Sequence, residues 1–498
     1  MDATHEKTGA TAELHGLEQD YWEWQLREFP ELSTWTGDNR YNDRFTDLSF
    51  DAIERRNAEE RRMLERARAI DRSGLTGQDQ VSCSLLLWDL DLAASAQRFP
   101  PVMLLTQISG PHLIFPQLVS MTPFRTAHDY HDYLRRLSAF PLYLEQATGL
   151  LRRGIGLGWV QPNVALRGVP DQIWGQLASD VEQDPLYAPL QEIPQTIPEA
   201  ERREFQSKAR ALIADSVRPA LAGFRDFVVQ TYLPAGERPI AASQLPDGEA
   251  YYLHAVREYT TTDLDPQEIH QIGLEEVARI RGRMVSAIEE AGFKGSLREF
   301  ADFLRAEARF YFSAADDLVA AYRDIAKRAD AELPKLFAEL PRTPYGVRPF
   351  PDYEAPSQTT AMYYPGAADG SRAGYFMVNT YRLDMRPKYE MEALTLHEAV
   401  PGHHLQIARA QEMRDLPDFR RNASYTAYVE GWALYAEALG NAMGFSGPLC
   451  AVRAAHVRDV ARLPAGGGHR LAPVRLDAST GHRVYGREHG QDGAGHRG

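Results

Sequence analysis

The sequence has little cysteine and no long apolar run, and these features argue against a disulfide-rich protein and against a membrane-spanning one. Cys83 and Cys450 are the only cysteines among 498 residues, so a disulfide framework is not expected and a reducing compartment is favoured. No stretch of about 18 apolar residues occurs, which argues against a membrane-spanning helix. The chain also begins without the basic and apolar segments of a secretory signal. We therefore predict a cytoplasmic protein that has no membrane partner.

Positive charge is also scarce. The formal net charge is −14 at pH 7, whereas phosphate binding requires a concentrated basic face, so nucleic acid is not an expected partner. A hydrophobic content of 44% and a charged content of 25% are ordinary values for a globular protein. The length allows two or three lobes with sizeable cores. The composition fits a soluble enzyme and carries no information about the oligomeric state.

Helical periodicity dominates the chain and predicts a mostly α fold. Residues 49–70 and 200–232 carry apolar side chains at three- and four-residue steps, which is the spacing of amphipathic helices. Asp265, followed by Pro266 and Glu268, has the spacing of a capping box and predicts the start of a further helix.

A Pro/Gly-rich segment without periodicity divides this helical pattern into two parts. The strongest functional signals all fall in the second part. The predicted organisation comprises a flexible N-terminus over 1–20, an N-terminal helical lobe over 21–233, a linker over 234–250, a C-terminal lobe over 251–445 and an atypical tail over 446–498.

The stretch from His397 to His404, HEAVPGHH, is the most informative part of the sequence. It is similar to His-Glu-x-x-His, in which two imidazoles one helical turn apart hold zinc and the glutamate activates water. Here the fourth position after His397 is Pro401, and the next imidazoles come six and seven positions after His397. On an ideal helix the sixth position points about 240° around the axis, away from the first imidazole. A shared zinc therefore requires a break between Val400 and His403, which Pro401 and Gly402 predict.

A second motif supplies a third candidate ligand. The apolar helical run from Tyr425 to Glu437 carries Glu430 and Glu437 seven residues apart, on one face. Many zinc peptidases take their third ligand from a carboxylate on the helix after the His-Glu helix. The alternative is that both glutamates form ion pairs with nearby arginines. A zinc site would instead bring the donor atoms of the three ligands within roughly 3–4 Å of each other.

Four separated stretches resemble the bacterial family called domain of unknown function 885. This family is similar to helical zinc peptidases of the thimet oligopeptidase and carboxypeptidase Taq kind, the gluzincins. The resemblance implies a large helical zinc-peptidase-like fold, with a central cleft and a small edge β-sheet next to the active-site helix. The four stretches are His397–Gln406, Tyr428–Glu437, Ala361–Thr380 and Gly248–Gly273.

The motifs and the resemblance together assign roles to individual residues. Zn²⁺ is the expected cofactor, held by His397, His403 and Glu430, and Glu398 is the expected general base. We prefer His403 to His404 as the second imidazole because the family motif is Pro-Gly-His, and His404 stays an alternative. Weaker candidates are Glu437, which could orient a ligating imidazole, and Tyr425 and Tyr428, which are oxyanion donors or simply core residues.

A short β-branched and aromatic run at 374–380, GYFMVNT, predicts a strand about twenty residues before His397. In zinc peptidases of this type an edge strand pairs with the substrate backbone. Tyr375 and Asn379 are therefore weaker candidates for contact with a peptide substrate. The alternative is a plain hairpin edge without a functional role.

The tail differs in composition from the rest of the chain. Residues 451–498 contain eight Arg, nine Gly and five His, but no Lys, Ile, Phe, Trp or Met. Few apolar side chains are available to bury, so we predict that the tail is poorly ordered or loosely packed. The resemblance implies further helices, a Thr-Gly-x-His segment and a Pro-Gly-Gln-Ala segment in this part, and none of them occurs. A reading-frame shift near residues 445–450 is one explanation, and a natural basic tail is the other.

The predicted function is zinc-dependent hydrolysis of peptide bonds in short peptides. Two alternatives stay open. An inactive or truncated metal-binding pseudoenzyme of the same family would explain the absence of the family's later segments. A metal-free helical peptide-binding module would require His397 and Glu430 to lie far apart.

Overall fold

The computed structural model describes residues 9–177, 180–352 and 354–445. These residues are mostly helical and contain one three-stranded sheet, as the periodicity predicted. Within them, no helix is both long and apolar enough to cross a membrane. The predictions for the first eight residues and for the tail over 446–498 fall outside the described residues.

The first half of the chain is an assembly of helices around an aromatic-rich core. The longest helix, α6, contributes the fully buried rings of Tyr130, Tyr133 and Phe140. Phe115 from a neighbouring helix lies 5.0 Å from Phe140, measured between ring centroids. The helices of this half are α1 Gly9–Glu28, α2 Pro30–Thr36, α3 Phe50–Ala69, α4 Gly77–Ala96, α5 Pro111–Met121, α6 Ala127–Leu157, α7 Val169–Leu177, α8 Ala188–Gln191, α9 Glu199–Leu212, α10 Arg218–Phe227 and α11 Leu233–Ala235.

The second half places the remaining helices around a small sheet. Phe376 of the central strand is fully buried, and its ring packs edge-on against Tyr322 with 5.2 Å between centroids. The helices are α12 Gly248–Thr260, α13 Pro266–Glu290, α14 Leu297–Ala306, α15 Ala315–Glu332, α16 Met391–Glu398, α17 His403–Glu412, α18 Asp418–Arg421 and α19 Thr426–Leu439, and the strands are β1 Tyr345–Pro349, β2 Ala361–Tyr364 and β3 Gly374–Val378.

The predicted helix boundaries are largely confirmed. Ser49 caps α3 by accepting a hydrogen bond from the backbone N–H of Ala52. Asp265 and Glu268 form the predicted capping box at the start of α13. The run over 200–232 is helical, but one-turn π segments at Ile213–Val217 and Val228–Tyr232 interrupt its regular repeat.

The flexible N-terminus predicted over 1–20 requires a correction from residue 9 onward. Helix α1 begins at Gly9, and Leu14 and Leu17 are buried. The two leucines are three residues apart on one helical face, so they pack against the rest of the core and order this segment. The predicted linker over 234–250 contains the end of α11 and the first turn of α12.

The strand order corrects the prediction for 374–380. The order is β1-β3-β2, so β3 lies in the centre, parallel to β1 and antiparallel to β2. Its backbone groups are occupied on both sides, and β3 cannot accept a substrate strand. The edge strand that packs against the predicted active-site helix α16 is β2. Sequence periodicity marks a strand but does not specify its neighbours, which explains the error.

The two halves of the chain pack against each other. Phe419 of α18 belongs to the same apolar cluster as Leu17 of α1 and Leu86 of α4. The guanidinium of Arg372 donates hydrogen bonds to the backbone carbonyls of Met121, at 2.7 Å, and Trp35, at 2.8 Å. The lobe boundaries at 233 and 251 stay predictions, because these contacts join the parts without defining where each one ends.

Candidate metal centre

The helix that carries the His-Glu motif is broken where Pro401 and Gly402 predicted. Helix α16 ends at Glu398, and α17 begins at His403. Across the gap, the N–H of His404 donates to the carbonyl of Ala399 at 3.1 Å. The interruption predicted between Val400 and His403 is confirmed. The chain turns at this point, so two imidazoles six positions apart face the same space.

Gly402 is required here because the backbone approaches closely. A Cβ atom at this position would lie 1.8 Å from the carbonyl oxygen of His397 and 2.4 Å from that of Leu396. The φ angle of −76° is open to any residue, so the left-handed freedom of glycine is not what the turn uses. The neighbouring residue Pro401 is also fixed, because its carbonyl accepts a hydrogen bond of 2.8 Å from the indole N–H of Trp432. Trp432 therefore holds the broken segment against α19.

The structure brings together the three residues predicted as metal ligands. One candidate ligand atom each from His397, His403 and Glu430 lies within 4.8 Å of the others. His397 Nε2 and Glu430 Oε2 are 3.5 Å apart. The two imidazole rings stand at 89° to each other, with 4.8 Å between their centroids. The set as a whole is somewhat wider than the 3–4 Å that we predicted from tetrahedral geometry.

Glu437 contacts the ring nitrogen of His397 that does not face Glu430. Its Oε1 lies 2.8 Å from Nδ1 of His397, and its side chain is fully buried. This contact leaves Nε2 of His397 facing Glu430, as the predicted orienting role requires. Burial by itself lowers the pKa of His397. The hydrogen bonds to Glu430 and Glu437 and the charge of Glu398 outweigh burial, and the pKa lies well above its usual value.

Glu398 lies beside this set, buried in the same wall. Burial raises its pKa to about 7, the charge of His397 opposes the rise, and the charge of Glu430 adds to it. The backbone N–H of Tyr363 donates toward the carboxylate and favours its charged form. Tyr363 belongs to β2, so the edge strand of the sheet touches the candidate base directly. Residue 363 lies inside one of the stretches that resemble the family, but no spacing in the sequence indicates its contact with Glu398.

His404 faces away from the candidate ligands. Its Nδ1 lies 2.8 Å from the hydroxyl of Tyr363, and its ring packs 4.5 Å from that of Tyr345, measured between centroids. Burial lowers its pKa to about 4. The arrangement matches the preference for His403 over His404, because successive residues at the start of α17 point to different sides of the helix.

The weaker tyrosine candidates have different surroundings. The hydroxyl of Tyr425 donates to Oδ2 of Asp89 at 3.1 Å, so Tyr425 links α19 to α4. Tyr428 is 66% exposed and lines the cavity described below. Neither hydroxyl contacts the three candidate ligands in the described structure.

Tyr375 and Asn379 lie outside the lining of that cavity. The side-chain amide of Asn379 donates to the carbonyls of Ala355, Gln358 and Thr359. It therefore organises the loop that leads into β2. The ring of Tyr375 lies under the guanidinium of Arg348, which belongs to the neighbouring strand β1. Neither residue is therefore placed for contact with a molecule bound in that cavity.

A cavity of about 1900 Å³ lies beside the candidate ligands. Its wall includes His397, Glu398, His403 and Glu430 from the second half. Further lining residues come from the first half, chiefly from α1, α4 and the loop before α5. No recognisable motif in the sequence marks these residues, and they are distant in the chain from the candidate ligands.

The family and fold of the chain follow from comparison with known proteins. Residues 30–456 match the family described as bacterial protein of unknown function, DUF885, and the chain belongs to that family. Among solved structures, a protein from Colwellia psychrerythraea described as a "putative lipoprotein" superimposes with a TM-score of 0.83 at 23% identity. The match covers 91% of this chain and 82% of that one. It shows a shared fold. No curated protein matches the chain.

Proposed function

We propose that this protein is a zinc-dependent metallopeptidase that hydrolyses short peptides. The observation that carries the proposal is the convergence of His397, His403 and Glu430 within 4.8 Å, in a cavity wall that also holds the buried Glu398. The resemblance to helical zinc peptidases supports the same conclusion. The alternative of a metal-free binding module required His397 and Glu430 to lie far apart, whereas their nearest atoms are 3.5 Å apart.

The residues present fit zinc. Two imidazoles and one carboxylate are the donor set of many catalytic zinc sites, which have three protein ligands and an open fourth position. Two ligands of one tetrahedral zinc lie about 3.3 Å apart, close to the 3.5 Å between His397 Nε2 and Glu430 Oε2. The carboxylate of Glu437 behind His397 supplies the outer support that metal-binding imidazoles commonly have.

The chain's own residues account for positioning and proton transfer. Zinc, when bound, supplies a Lewis acid that polarises the scissile carbonyl and lowers the pKa of water. Glu398 accepts the proton of the attacking water and later donates it to the leaving amine. The N–H of Tyr363 keeps the carboxylate of Glu398 at the edge of β2 during both steps.

The cavity has space for a peptide. Its volume of about 1900 Å³ is roughly twice the upper limit that is usual for small-molecule sites. The lining includes Ala361, Met362 and Tyr363 of β2, the strand at the edge of the sheet. We therefore propose that the substrate backbone pairs with β2 and not with β3.

A cytoplasmic location remains our expectation, to be checked by cell fractionation.

The test combines metal content with cleavage in three proteins. The wild type should hold about one zinc per chain and cleave members of a short-peptide library, and a chelator should abolish cleavage. Glu398→Gln should keep its zinc and lose cleavage by about 10²-fold or more, because an amide cannot accept the proton. His397→Ala should lose the zinc.

Three outcomes would distinguish metal binding, catalysis and the role of Glu398. Zinc at less than a tenth of the chain concentration in the wild type would refute the metal site. Bound zinc with no cleavage of any peptide would favour the pseudoenzyme. Equal cleavage by the wild type and Glu398→Gln would remove Glu398 as the base.

A further inference from the structure

Asp89 is a carboxylic acid in the wall of the cavity that the candidate metal ligands also line. It lies on α4 and lines the cavity together with Tyr21, Trp88 and Tyr425. Its Oδ2 accepts a hydrogen bond of 3.1 Å from the hydroxyl of Tyr425. The proposed mechanism assigns no task to this group, although it faces the space that a substrate would occupy.

Asp89 has no cationic partner among the residues that the structure describes. No Lys, Arg or His forms an ion pair with it there, whereas Asp91 on the same helix pairs with Arg68 and Arg257. Burial raises the pKa of Asp89 to about 7, and only the hydrogen bond from Tyr425 opposes the rise. A carboxylate without a counter-ion is costly to bury, so a cation that enters the cavity gains more here than at a solvated acid.

Asp89 is connected to the element that carries one candidate metal ligand. Tyr425, its partner, directly precedes α19, and Glu430 follows five residues later. Asp89 and Glu430 both line the cavity. A ligand that occupies the cavity can therefore meet Asp89 as well as the candidate metal ligands.

We propose that Asp89 forms a subsite for a cationic group of the peptide substrate, either a Lys or Arg side chain or the free α-ammonium group. The inference rests on the proposed peptidase function and adds a substrate class to it. The neighbouring aromatic residues suit this role, because the faces of Trp88 and Tyr21 attract cations that approach the same space. One face of Trp88 already lies against the guanidinium of Arg257, at 4.6 Å from the ring centroid.

The test uses alanine pentapeptides that carry one lysine or one norleucine at each position in turn. Each peptide is prepared with a free and with an acetylated N-terminus, so that the side chain and the α-ammonium group are examined separately. Cleavage by the zinc-loaded wild type is followed by mass spectrometry, and binding to the same protein by calorimetry. We expect the cationic member of a matched pair to be preferred at least about tenfold at one position, as for other desolvated charge pairs.

Two variants assign the preference to Asp89. Asp89→Asn keeps the shape of the side chain and should reduce the preference to less than about twofold, mainly through KM, while the zinc content stays unchanged. Asp91→Asn is the matched control on the same helix, outside the cavity lining, and should behave like the wild type.

The outcomes for the subsite and for the peptidase are distinguishable. An equal response of the wild type, in cleavage and in binding, to lysine and norleucine peptides and also to free and acetylated N-termini would overturn the subsite and leave the peptidase intact. A preference that survives in Asp89→Asn would also overturn it. If no peptide is cleaved, the binding comparison still decides, because the subsite predicts that cationic peptides bind more tightly to the wild type than to Asp89→Asn.

Discussion

At the residue scale, the site depends on carboxylates whose environments differ. Glu437 is fully buried and hydrogen-bonded to His397. Glu398 is also buried, and burial together with the charge of Glu430 raises its pKa. Asp89 accepts a hydrogen bond from Tyr425 elsewhere in the cavity lining. We propose that the same side-chain chemistry serves to orient an imidazole in Glu437, to transfer a proton in Glu398 and to bind a cation in Asp89.

Replacing Asp89 should change how stability depends on pH. Burial raises its folded-state pKa to about 7, against about 3.9 for an unfolded aspartate. Between these values the folded chain binds more protons than the unfolded one, so the free energy of unfolding falls as the pH rises. Asparagine does not titrate, so Asp89→Asn should not lose free energy of unfolding in this way as the pH rises. The variant should therefore be more stable than the wild type at pH 8, by a few kcal/mol at most.

Thermal unfolding of both proteins between pH 4 and pH 8 measures this effect. The difference should be small near pH 4, grow through pH 7 and then level off. A constant difference over the whole range would show that Asp89 does not titrate there. Asp91→Asn is measured beside it as the control on the same helix, because Asp91 is ion-paired with Arg68 and Arg257 and lies outside the cavity lining.

At the scale of elements, the site is built where a helix is interrupted. Helices α16 and α17 each carry one imidazole of the candidate ligand set, and the break between them turns His403 towards His397. Helix α19 supplies Glu430 and Glu437 from one face and closes the break with Trp432. Three elements therefore position five groups, and the arrangement depends on how closely the chain approaches itself at Gly402.

Gly402→Ala should disrupt the site. The new Cβ would overlap the carbonyl oxygen of His397, which lies 1.8 Å from its ideal position, so the break must open. We expect a loss of stability of about 1–3 kcal/mol, as for other overpacked positions, together with weaker zinc binding. Thermal unfolding and zinc titration measure the two effects.

The control is Gly282→Ala in α13. A Cβ at Gly282 meets no atom within 4 Å, and alanine is the better helix former, so this variant should gain about 0.5–1 kcal/mol and keep its zinc affinity. If Gly402→Ala behaved in the same way, the close approach at residue 402 would not be a requirement of the fold.

At the scale of the whole molecule, the cavity lies where the two halves of the chain meet. Asp89 and Tyr425, 336 residues apart, connect the wall formed by the first half to the helix that carries Glu430. The apolar residues Trp432, Leu434 and Leu439 of that helix are partly exposed. The site therefore depends on the packing of the whole described chain.

Zinc should stabilise the folded chain, because the candidate ligands converge only when α16, α17 and α19 are packed. Free zinc at about 100 times its dissociation constant should add about 2.7 kcal/mol to the free energy of unfolding, which corresponds to a rise of a few degrees in Tm. Scanning calorimetry with zinc and with a chelator measures this difference. His397→Ala should have the same Tm in both conditions, and an equal rise in that variant would place the metal elsewhere.

Local patterns in the sequence determined the helices and the candidate ligands, because both depend on spacing along a single element. The repeat of apolar residues predicted the helices around α3 and α9, the capping box predicted the start of α13, and Pro401 with Gly402 predicted the break that brings His397 and His403 together. Only the tertiary structure decided that β2, and not β3, is the edge strand next to α16, that Tyr363 contacts Glu398, and that Asp89 lines the same cavity as the candidate ligands. The reason is physical. These relations join segments distant in the chain, and their geometry depends on how whole elements pack, which spacing along one element cannot specify.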